Sequence, residues 1–270
     1  MATQREITKD CIAVAFYGIH ANATSRKSFY LHMVAWFDSC ECPIDKLSVH
    51  GPGFSGKPVG FAKGHERLLR EGFADIESLS LFAMLPEGRL PTVDWWATGY
   101  LNFHYKPCFV LAARKSVTTL EDDRLAKLEA NCLSELQPEY GIAYPHDHDE
   151  GPSFYAIGLN YGGAIVTGQA YEDKLTVSKW GAIGMKDEVY KQGLLRGVYP
   201  RNYLSKSQLL NRIENVTLGE WIGSSPSHGT LVELDDRMSL WKLTLPQISA
   251  VQDKLHASGI IFDWRKHATV

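Results

Sequence analysis

The amino-acid sequence predicts an α+β protein, in which a mainly antiparallel sheet with helices packed on one face is followed by a smaller C-terminal α+β unit. Several strand-like runs follow one another before residue 162, two stretches have helical spacing, and no regular βαβ order develops. Successive strands interrupted by a few helices are typical of a sheet with a helical layer. We expect residues 1–162 to form the sheet domain and residues 163–270 the smaller unit, either separate or packed with the first as one continuous domain.

The first strand and the first helix are predicted from local composition. Residues 11–18 are rich in β-branched and aromatic side chains, which favour a strand. Thr24 or Ser25 can then cap a helix, because a side-chain hydroxyl accepts from the free amides of the first turn. Phe29 and Met33, four residues apart, begin a broad apolar face. We therefore expect this helix to be well buried.

Three strands are predicted in the middle of the chain, at residues 76–85, 93–104 and 108–113. Only three residues separate the last two, which indicates a hairpin. A run of this kind, with strands joined by short turns, is typical of an antiparallel sheet.

Alternation within the second of these strands assigns its two faces. Trp95 and Leu101 occupy odd positions and are expected to face the core, because side chains of a strand alternate between its two sides. Trp96 and Tyr100 fall on the more polar face. They are either contact aromatics for a partner or cross-strand neighbours beneath another element.

Residues 119–136 have the clearest helical periodicity. Thr118 and Glu121 fit a capping box, in which each side chain accepts a hydrogen bond from the other residue's free amide. Strand signals return at residues 140–144 and 154–161. The helix therefore connects two strands in sequence, and we expect it to pack with the first helix on one face of the sheet.

The C-terminal part is less regular. Glycines interrupt residues 163–195, which receive no assignment. Ser205 or Ser207 is the predicted cap of the next helix. The remaining predicted elements are a strand at 230–234, a strand at 238–243 after the acidic turn that contains Asp235 and Asp236, a helix that begins near Pro246, and a strand at 260–262.

Composition argues against several classes of protein. The net charge is −3, and no dense Lys/Arg stripe is visible, so we expect no nucleic-acid partner. The five cysteines are odd in number, unlike a secreted disulfide framework. No apolar run approaches the ~20 residues that span a membrane, and the N-terminal apolar run lacks the positive start of a signal peptide. We expect a cytoplasmic protein without a membrane partner.

The motifs of common enzymes are missing from the sequence. It contains neither a G-x-S-x-G nucleophile elbow nor an H-E-x-x-H zinc motif, and no G-x-G-x-x-G nucleotide loop. The paired acids Asp122/Asp123 and Asp235/Asp236 are sequence neighbours, which do not face each other on a helix or strand. We therefore expect no catalytic residues and no cofactor.

One loop offers an alternative. His146, Asp147, His148, Asp149 and Glu150 place two imidazoles and three carboxylates within five residues. In an extended loop the two histidines would lie on the same side, and their ligand types suit zinc or another transition metal. A metal-dependent hydrolase that uses His146 and His148 is thus one hypothesis; an acidic, solvated turn without metal is the other.

A further sequence pattern lies mainly in the C-terminal half of the chain. The pattern spans roughly residues 140–262. Its segments are residues 195–205 (Leu-Arg-Gly-Val-Tyr-Pro-Arg-Asn-Tyr-Leu-Ser), 218–222 (Leu-Gly-Glu-Trp-Ile), 229–231 (Gly-Thr-Leu), 240–241 (Leu-Trp) and 259–260 (Gly-Ile). This pattern resembles bacterial immunity proteins of type VI secretion and related polymorphic toxin systems. The resemblance implies a protein that binds and neutralises a cognate toxin or effector by stoichiometric association, rather than an enzyme.

Candidate contact residues follow from that implication. Acidic loops would complement the basic cleft of a toxin that acts on nucleic acid, and aromatic side chains commonly anchor interfaces. The predicted partner-binding residues are Asp147, Asp149, Glu150, Asp235, Asp236, Trp96 and Tyr100. A further hypothesis is a non-enzymatic adaptor or scaffold subunit, homodimeric through the tryptophan-rich sheet.

Overall fold

An antiparallel sheet of eleven strands forms the centre of the molecule in the computed structural model, which describes residues 10–160 and 169–267. Its strands are β1 (Cys11–Tyr17), β2 (Lys46–Gly51), β3 (Phe54–Ser55), β4 (Val59–Gly60), β5 (Ser78–Met84), β6 (Trp95–Asn102), β7 (Cys108–Arg114), β8 (Tyr140–His146), β9 (Arg201–Ser205), β12 (Thr230–Glu233) and β13 (Met238–Lys242). Strands β10 (Arg212–Ile213) and β11 (Val216–Thr217) form a separate hairpin. The strand order is β12-β13-β9-β8-β1-β7-β6-β5-β2-β3, and β4 also pairs with β2.

Helices account for most of the remaining regular structure. They are α1 (Ala23–Ser39), α2 (Phe61–Glu71), α3 (Asp123–Leu136), α4 (Pro152–Ala156), α5 (Gln169–Lys179), α6 (Lys206–Leu209), α7 (Leu218–Gly223), α8 (Leu245–Ala257) and α9 (Trp264–His267). Single 3-10 turns occupy His148–Glu150, Val189–Gln192 and Pro226–His228, and a π-helical turn spans Trp180–Gly184. The predicted α+β class is confirmed.

Helices α1 and α3 pack on one face of the sheet. Phe29 of α1 meets Phe109 of β7 edge-on with ring centroids 4.9 Å apart, and Leu128 and Cys132 of α3 join the same apolar cluster. Burying such side chains provides the main favourable free energy of folding. This face corresponds to the single helical layer that the sequence predicts.

The C-terminal elements cover part of the opposite face. Trp180, Tyr190 and Trp241 are fully buried there against side chains of β1 and β8. All seven residues of β1 are consequently buried, and a strand covered on both sides has a continuous apolar sequence instead of an alternating one. Helical cover on both faces therefore explains the composition of residues 11–17.

Strands from both predicted units belong to one sheet. β9 pairs with β8, with Leu204 opposite Tyr140 and Arg201 opposite Ala143, and β13 continues the sheet beyond β9. The residues around the predicted boundary, 161–168, lie outside the described residues. Within the ranges 10–160 and 169–267, none of the helices combines the length and apolar character that a bilayer crossing requires.

Two predicted helix caps are wrong. Asn22 caps α1, because its side-chain oxygen accepts the Ser25 amide at 3.0 Å, so the cap lies two residues before Thr24 and three before Ser25. Asp122 caps α3. The Thr118 hydroxyl donates to the Asp122 carboxylate at 3.1 Å instead of forming a capping box with Glu121. By contrast, the predicted Ser205 cap of α6 is confirmed.

Two predicted strands are also wrong. Residues 154–156 of the predicted 154–161 strand belong to α4, which Pro152 favours because its fixed φ and missing N–H suit the first turn. Residue 161 lies outside the described residues. At 260–262, Ile261 makes only an isolated bridge with Leu195. Short apolar runs do not distinguish strand from helix or coil by periodicity.

Candidate functional site

The ends of three strands bring the acidic loop next to the start of β6. Cys11 of β1 lies opposite both Arg114 of β7 and His146 of β8. On the other side of β7, Ala113 pairs with Ala97 of β6, so the next residue, Arg114, lies near the start of β6. We call this surface the acidic end; it comprises Asp10, Asp94, Trp96, Arg114 and residues 146–150.

Asp10 holds the acidic end together. One of its carboxylate oxygens accepts the backbone N–H of His148 at 3.0 Å, and the other lies 3.2 Å from Nη1 of Arg114. The Arg114 guanidinium is in turn 5.7 Å from the centre of the Trp96 ring. Asp10 is 138 residues from His148 in sequence, so no local pattern indicates this contact.

The loop is a single turn capped by its own first acid. Asp147 accepts the Asp149 amide at 2.8 Å and is only 7 % exposed. The expectation that Asp147 is exposed is therefore wrong, because its carboxylate turns inward and satisfies a free amide of the turn. Asp149 and Glu150 are exposed, as expected.

The two histidines of the loop diverge. The His146 ring packs against Tyr155 with centroids 5.0 Å apart, whereas the His148 ring meets Trp95 edge-on at 4.7 Å. The expectation that they share one side is wrong because a 3-10 turn begins at His148 and replaces the extended backbone. Among the described residues, no three His, Cys, Asp or Glu side chains form a group that could hold a metal ion.

A β-bulge separates the two tryptophans of β6. Ala83 of β5 pairs with Ala97, but the next residue, Met84, pairs with Trp95, so Trp96 is an extra residue. Trp95 is 1 % exposed and packs on the face opposite Leu101, whereas Trp96 is 37 % exposed. The predicted placement of Trp95 and Leu101 on one face is wrong because a bulge shifts the alternation.

Two adjoining cavities run from the acidic end along the sheet; together we call them the groove. The first has a volume of about 240 Å³ and the second of about 220 Å³. Their shared lining residues are Thr92, Ser153 and Phe154. Asp94 and Asp149 line the first cavity, and Tyr100 lines the second.

The electrostatics differ along the groove. Backbone N–H groups of Leu90 and Arg89 donate to the Asp94 carboxylate, each at 2.8 Å, and they lower the pKa of Asp94. This acid is therefore ionised at neutral pH. In the second cavity, desolvation raises the pKa of the Tyr100 hydroxyl, which stays a neutral phenol. The groove thus has an anionic entrance and an aromatic, neutral floor.

Asp235 and Asp236 lie at the opposite end of the sheet. Met238, at the start of β13, faces Ser205, and the adjacent Leu204 faces Tyr140 at the start of β8. The six-residue step from Tyr140 to His146 corresponds to roughly 20 Å along a strand. One compact contact surface therefore does not include both acidic turns.

These two acids also differ from each other. The Asp235 carboxylate accepts the amides of Arg237 at 2.8 Å and Met238 at 2.7 Å, which shapes the turn. Asp236 is exposed. The structure therefore places Trp96, Asp149 and Glu150 at the acidic end and lines the adjoining groove with Asp149 and Tyr100. It places Asp235 and Asp236 elsewhere.

Sequence reasoning misses Asp10, Asp94 and Phe154 as parts of this surface. Asp94 directly precedes β6 and its carboxylate binds amides four and five residues earlier, which is a recognisable turn signal. Phe154 enters the groove from α4, a helix that the sequence pattern assigns to a strand. Its position depends on tertiary packing.

Comparison with known proteins identifies a shared fold. No protein-family model matches the sequence, and no curated protein matches it. Among solved structures, the chain is similar to the Pseudomonas aeruginosa T6SS protein PA0821, with a TM-score of 0.58 and 14 % sequence identity over 93 % of this chain and 73 % of that chain. The α+β architecture described above is therefore shared with a protein of the T6SS.

Proposed function

We propose that this protein binds and neutralises a cognate bacterial toxin or effector in a stoichiometric complex, as an immunity protein linked to type VI secretion. The observation that supports this proposal is the acidic end: Asp94 and Asp149 line a groove whose floor includes Tyr100, and Glu150 is exposed on the same loop. An inhibitor of this kind needs a shaped and charged surface and no cofactor.

Charge and aromatic character both suit binding of a basic protein. Carboxylates on one surface accelerate association with a positively charged partner and disfavour acidic ones. Trp96 adds an exposed aromatic ring beside Arg114 at the same end of the sheet, and aromatic residues are common anchors of interfaces. The proposed partner is therefore a toxin or effector with a basic contact surface, and not nucleic acid or a membrane.

The fold and the sequence resemblance also support this proposal. The fold is shared with a T6SS protein, and the segments between residues 195 and 260 resemble immunity proteins. Neutralisation of a toxin inside the producing cell would place the protein in the cytoplasm. Fold alone does not define function, so the proposal depends on the acidic end and requires a direct binding test.

The first experiment is co-expression with the toxin or effector encoded beside the gene. The proposal predicts that this chain restores growth of cells that express the toxin, and that the two proteins co-purify in a 1:1 complex. A toxin that still kills, together with the absence of a complex on size-exclusion chromatography, would rule the proposal out.

The second experiment tests the surface with matched variants. Asp149→Asn combined with Glu150→Gln removes two charges from the acidic end, whereas Asp235→Asn combined with Asp236→Asn removes two charges from the opposite end. Surface plasmon resonance is expected to show a loss of affinity of about tenfold or more for the first pair, mainly through slower association at low salt. Equal effects of both pairs would contradict the assignment of the surface.

A further inference from the structure

A pocket lined by aromatic rings lies on the side of the acidic loop away from the groove. Its volume is about 270 Å³. Four rings, Tyr144, His146, Tyr155 and Tyr199, contribute to its walls, and Asp147 and Glu150 of the loop complete one side. We call these six residues the aromatic pocket.

The rings form a connected cluster. Ring centroids are 5.1 Å apart for Tyr144 and Tyr155, 5.4 Å for Tyr144 and Tyr199, and 5.0 Å for His146 and Tyr155. These separations are those of favourable aromatic pairs. The residues come from β8, from α4 and from the segment before β9, so tertiary packing fixes the arrangement before any ligand binds.

The phenol groups of the cluster are already satisfied. The Tyr144 hydroxyl donates to the Pro152 carbonyl at 2.9 Å, and the hydroxyls of Tyr155 and Tyr199 bond to each other at 2.9 Å. A ligand would therefore meet ring surfaces instead of free hydroxyl groups. The electron-rich faces of such rings attract cations.

A buried arginine shows that one of these rings already accepts a guanidinium. The Arg196 guanidinium carbon lies 4.1 Å from the centre of the Tyr155 ring, and its nitrogens donate to the carbonyls of Ala156 at 2.9 Å and Tyr155 at 2.7 Å. Arg196 does not line the pocket. Its positive charge disfavours a second cation, but the two carboxylates of Asp147 and Glu150 outnumber it.

The outer wall suits the stem of a long side chain. Leu245 is 61 % exposed at the first turn of α8, and Ile248 lines the pocket beside it. Arginine and lysine pack their methylene groups on such apolar surfaces while the charged head binds elsewhere. Apolar stem contacts, aromatic faces and an exposed carboxylate are thus combined in one pocket.

We propose that the aromatic pocket binds the guanidinium or ammonium group of a basic side chain that the partner inserts beside the acidic loop. This inference rests on the proposed function, because it identifies the chemistry of the partner at the same loop. Glu150, which is exposed at the rim, pairs with the cation, and the half-buried Tyr155 and Tyr199 rings face it. The buried Tyr144 ring supports both of these rings from beneath.

The test uses a small probe that needs no toxin. N-acetyl-arginine amide is titrated into the isotopically labelled full chain, and N-acetyl-citrulline amide serves as the neutral analogue of equal shape. Two-dimensional NMR is expected to show saturable shifts of amides in residues 144–155 and 198–199 with the arginine probe. Affinity for the citrulline probe is expected to be at least about fivefold lower, since a desolvated cation–π contact accounts for the difference.

Variants locate the binding to the pocket. Glu150→Gln and Tyr199→Leu should each weaken the arginine probe about threefold or more, whereas Asp236→Asn at the far end should leave it unchanged. Glu150→Gln changes an exposed side chain and is expected to fold normally, so it remains informative if Tyr199→Leu does not fold. Equal binding of citrulline, equal binding of N-acetyl-leucine amide, or no saturable shift at all would overturn the proposal.

The outcome is separable from that of the proposed function. Arginine-probe binding without any toxin complex would contradict immunity while supporting the pocket. The opposite result would contradict the pocket alone. In that case the wild-type chain does not bind the arginine probe, and the toxin complex forms equally well with the Glu150→Gln variant.

Discussion

The carboxylate of Asp10 joins the backbone of His148 to the side chain of Arg114. It accepts the His148 N–H at 3.0 Å and lies 3.2 Å from Nη1 of Arg114. Asp10 precedes β1, Arg114 ends β7, and His148 begins the turn after β8. One side chain therefore connects the acidic loop to the ends of two strands, which limits the loop's freedom to move.

Removal of this carboxylate is expected to loosen the loop. Asp10→Ala should cost about 1 kcal/mol of unfolding free energy, since a partly exposed, charged hydrogen bond is lost, and should speed hydrogen exchange of the His148 amide. Asp10→Asn is the matched control because it keeps an oxygen that can accept from His148. Unchanged exchange in Asp10→Ala, measured by NMR, would show that the loop is held by other contacts.

The sequence predicts the centre of the sheet better than it predicts the site. β5, β6, β7 and β8 follow from apolar runs and turns that are local properties. The acidic end depends on Asp10, whose hydrogen-bond partner is 138 residues away, and on a bulge at Trp96 that no local residue pattern signals. Pairing between distant parts of the chain determines both the Asp10 contact and the bulge, so local sequence patterns do not predict them.

The two neighbouring tryptophans of β6 should respond oppositely to truncation. Trp95 is 1 % exposed, so Trp95→Ala is expected to cost about 3–5 kcal/mol of unfolding free energy, as large aromatic deletions in a core do. Trp96 is 37 % exposed, and Trp96→Ala should cost less than about 1 kcal/mol while weakening partner binding. Urea denaturation measures the first effect and surface plasmon resonance the second. Comparable destabilisation by both variants would argue against the bulge.

The buried Arg196 is expected to be a strong determinant of stability. Its guanidinium donates to the carbonyls of Ala156 and Tyr155 and to the Tyr17 hydroxyl at 3.1 Å. Arg196→Met would leave these buried oxygens without that donor, at a cost of about 2–4 kcal/mol.

Arg265 provides the matched control for Arg196. It is largely exposed and pairs with Glu172, and a surface ion pair contributes less than about 1 kcal/mol. The measurement is the urea midpoint of Arg196→Met and Arg265→Met by circular dichroism. A similar midpoint for the two variants would contradict the structural role of Arg196.

Asp122 at the start of α3 is expected to make stability depend on acid pH. The Arg124 side chain hydrogen-bonds to it, with Nη2 at 2.5 Å from Oδ2, and the Arg124 amide donates at 2.8 Å. These contacts lower the pKa of Asp122 from 3.8 to about 2 in the folded chain. Since the folded pKa is the lower one, the stabilisation is complete above about pH 4 and is lost as the pH falls towards about 2.

Asp122→Asn tests this dependence, because asparagine also caps helices and only the charge is removed. We expect the variant to be less stable than the wild type by up to about 1 kcal/mol at neutral pH, since the partner Arg124 is partly exposed. The difference should shrink as the pH falls from about 4 to about 2. Urea unfolding followed by circular dichroism across that interval measures it. A difference that stays constant would mean that the cap's geometry, and not the ionised carboxylate, stabilises the first turn of α3.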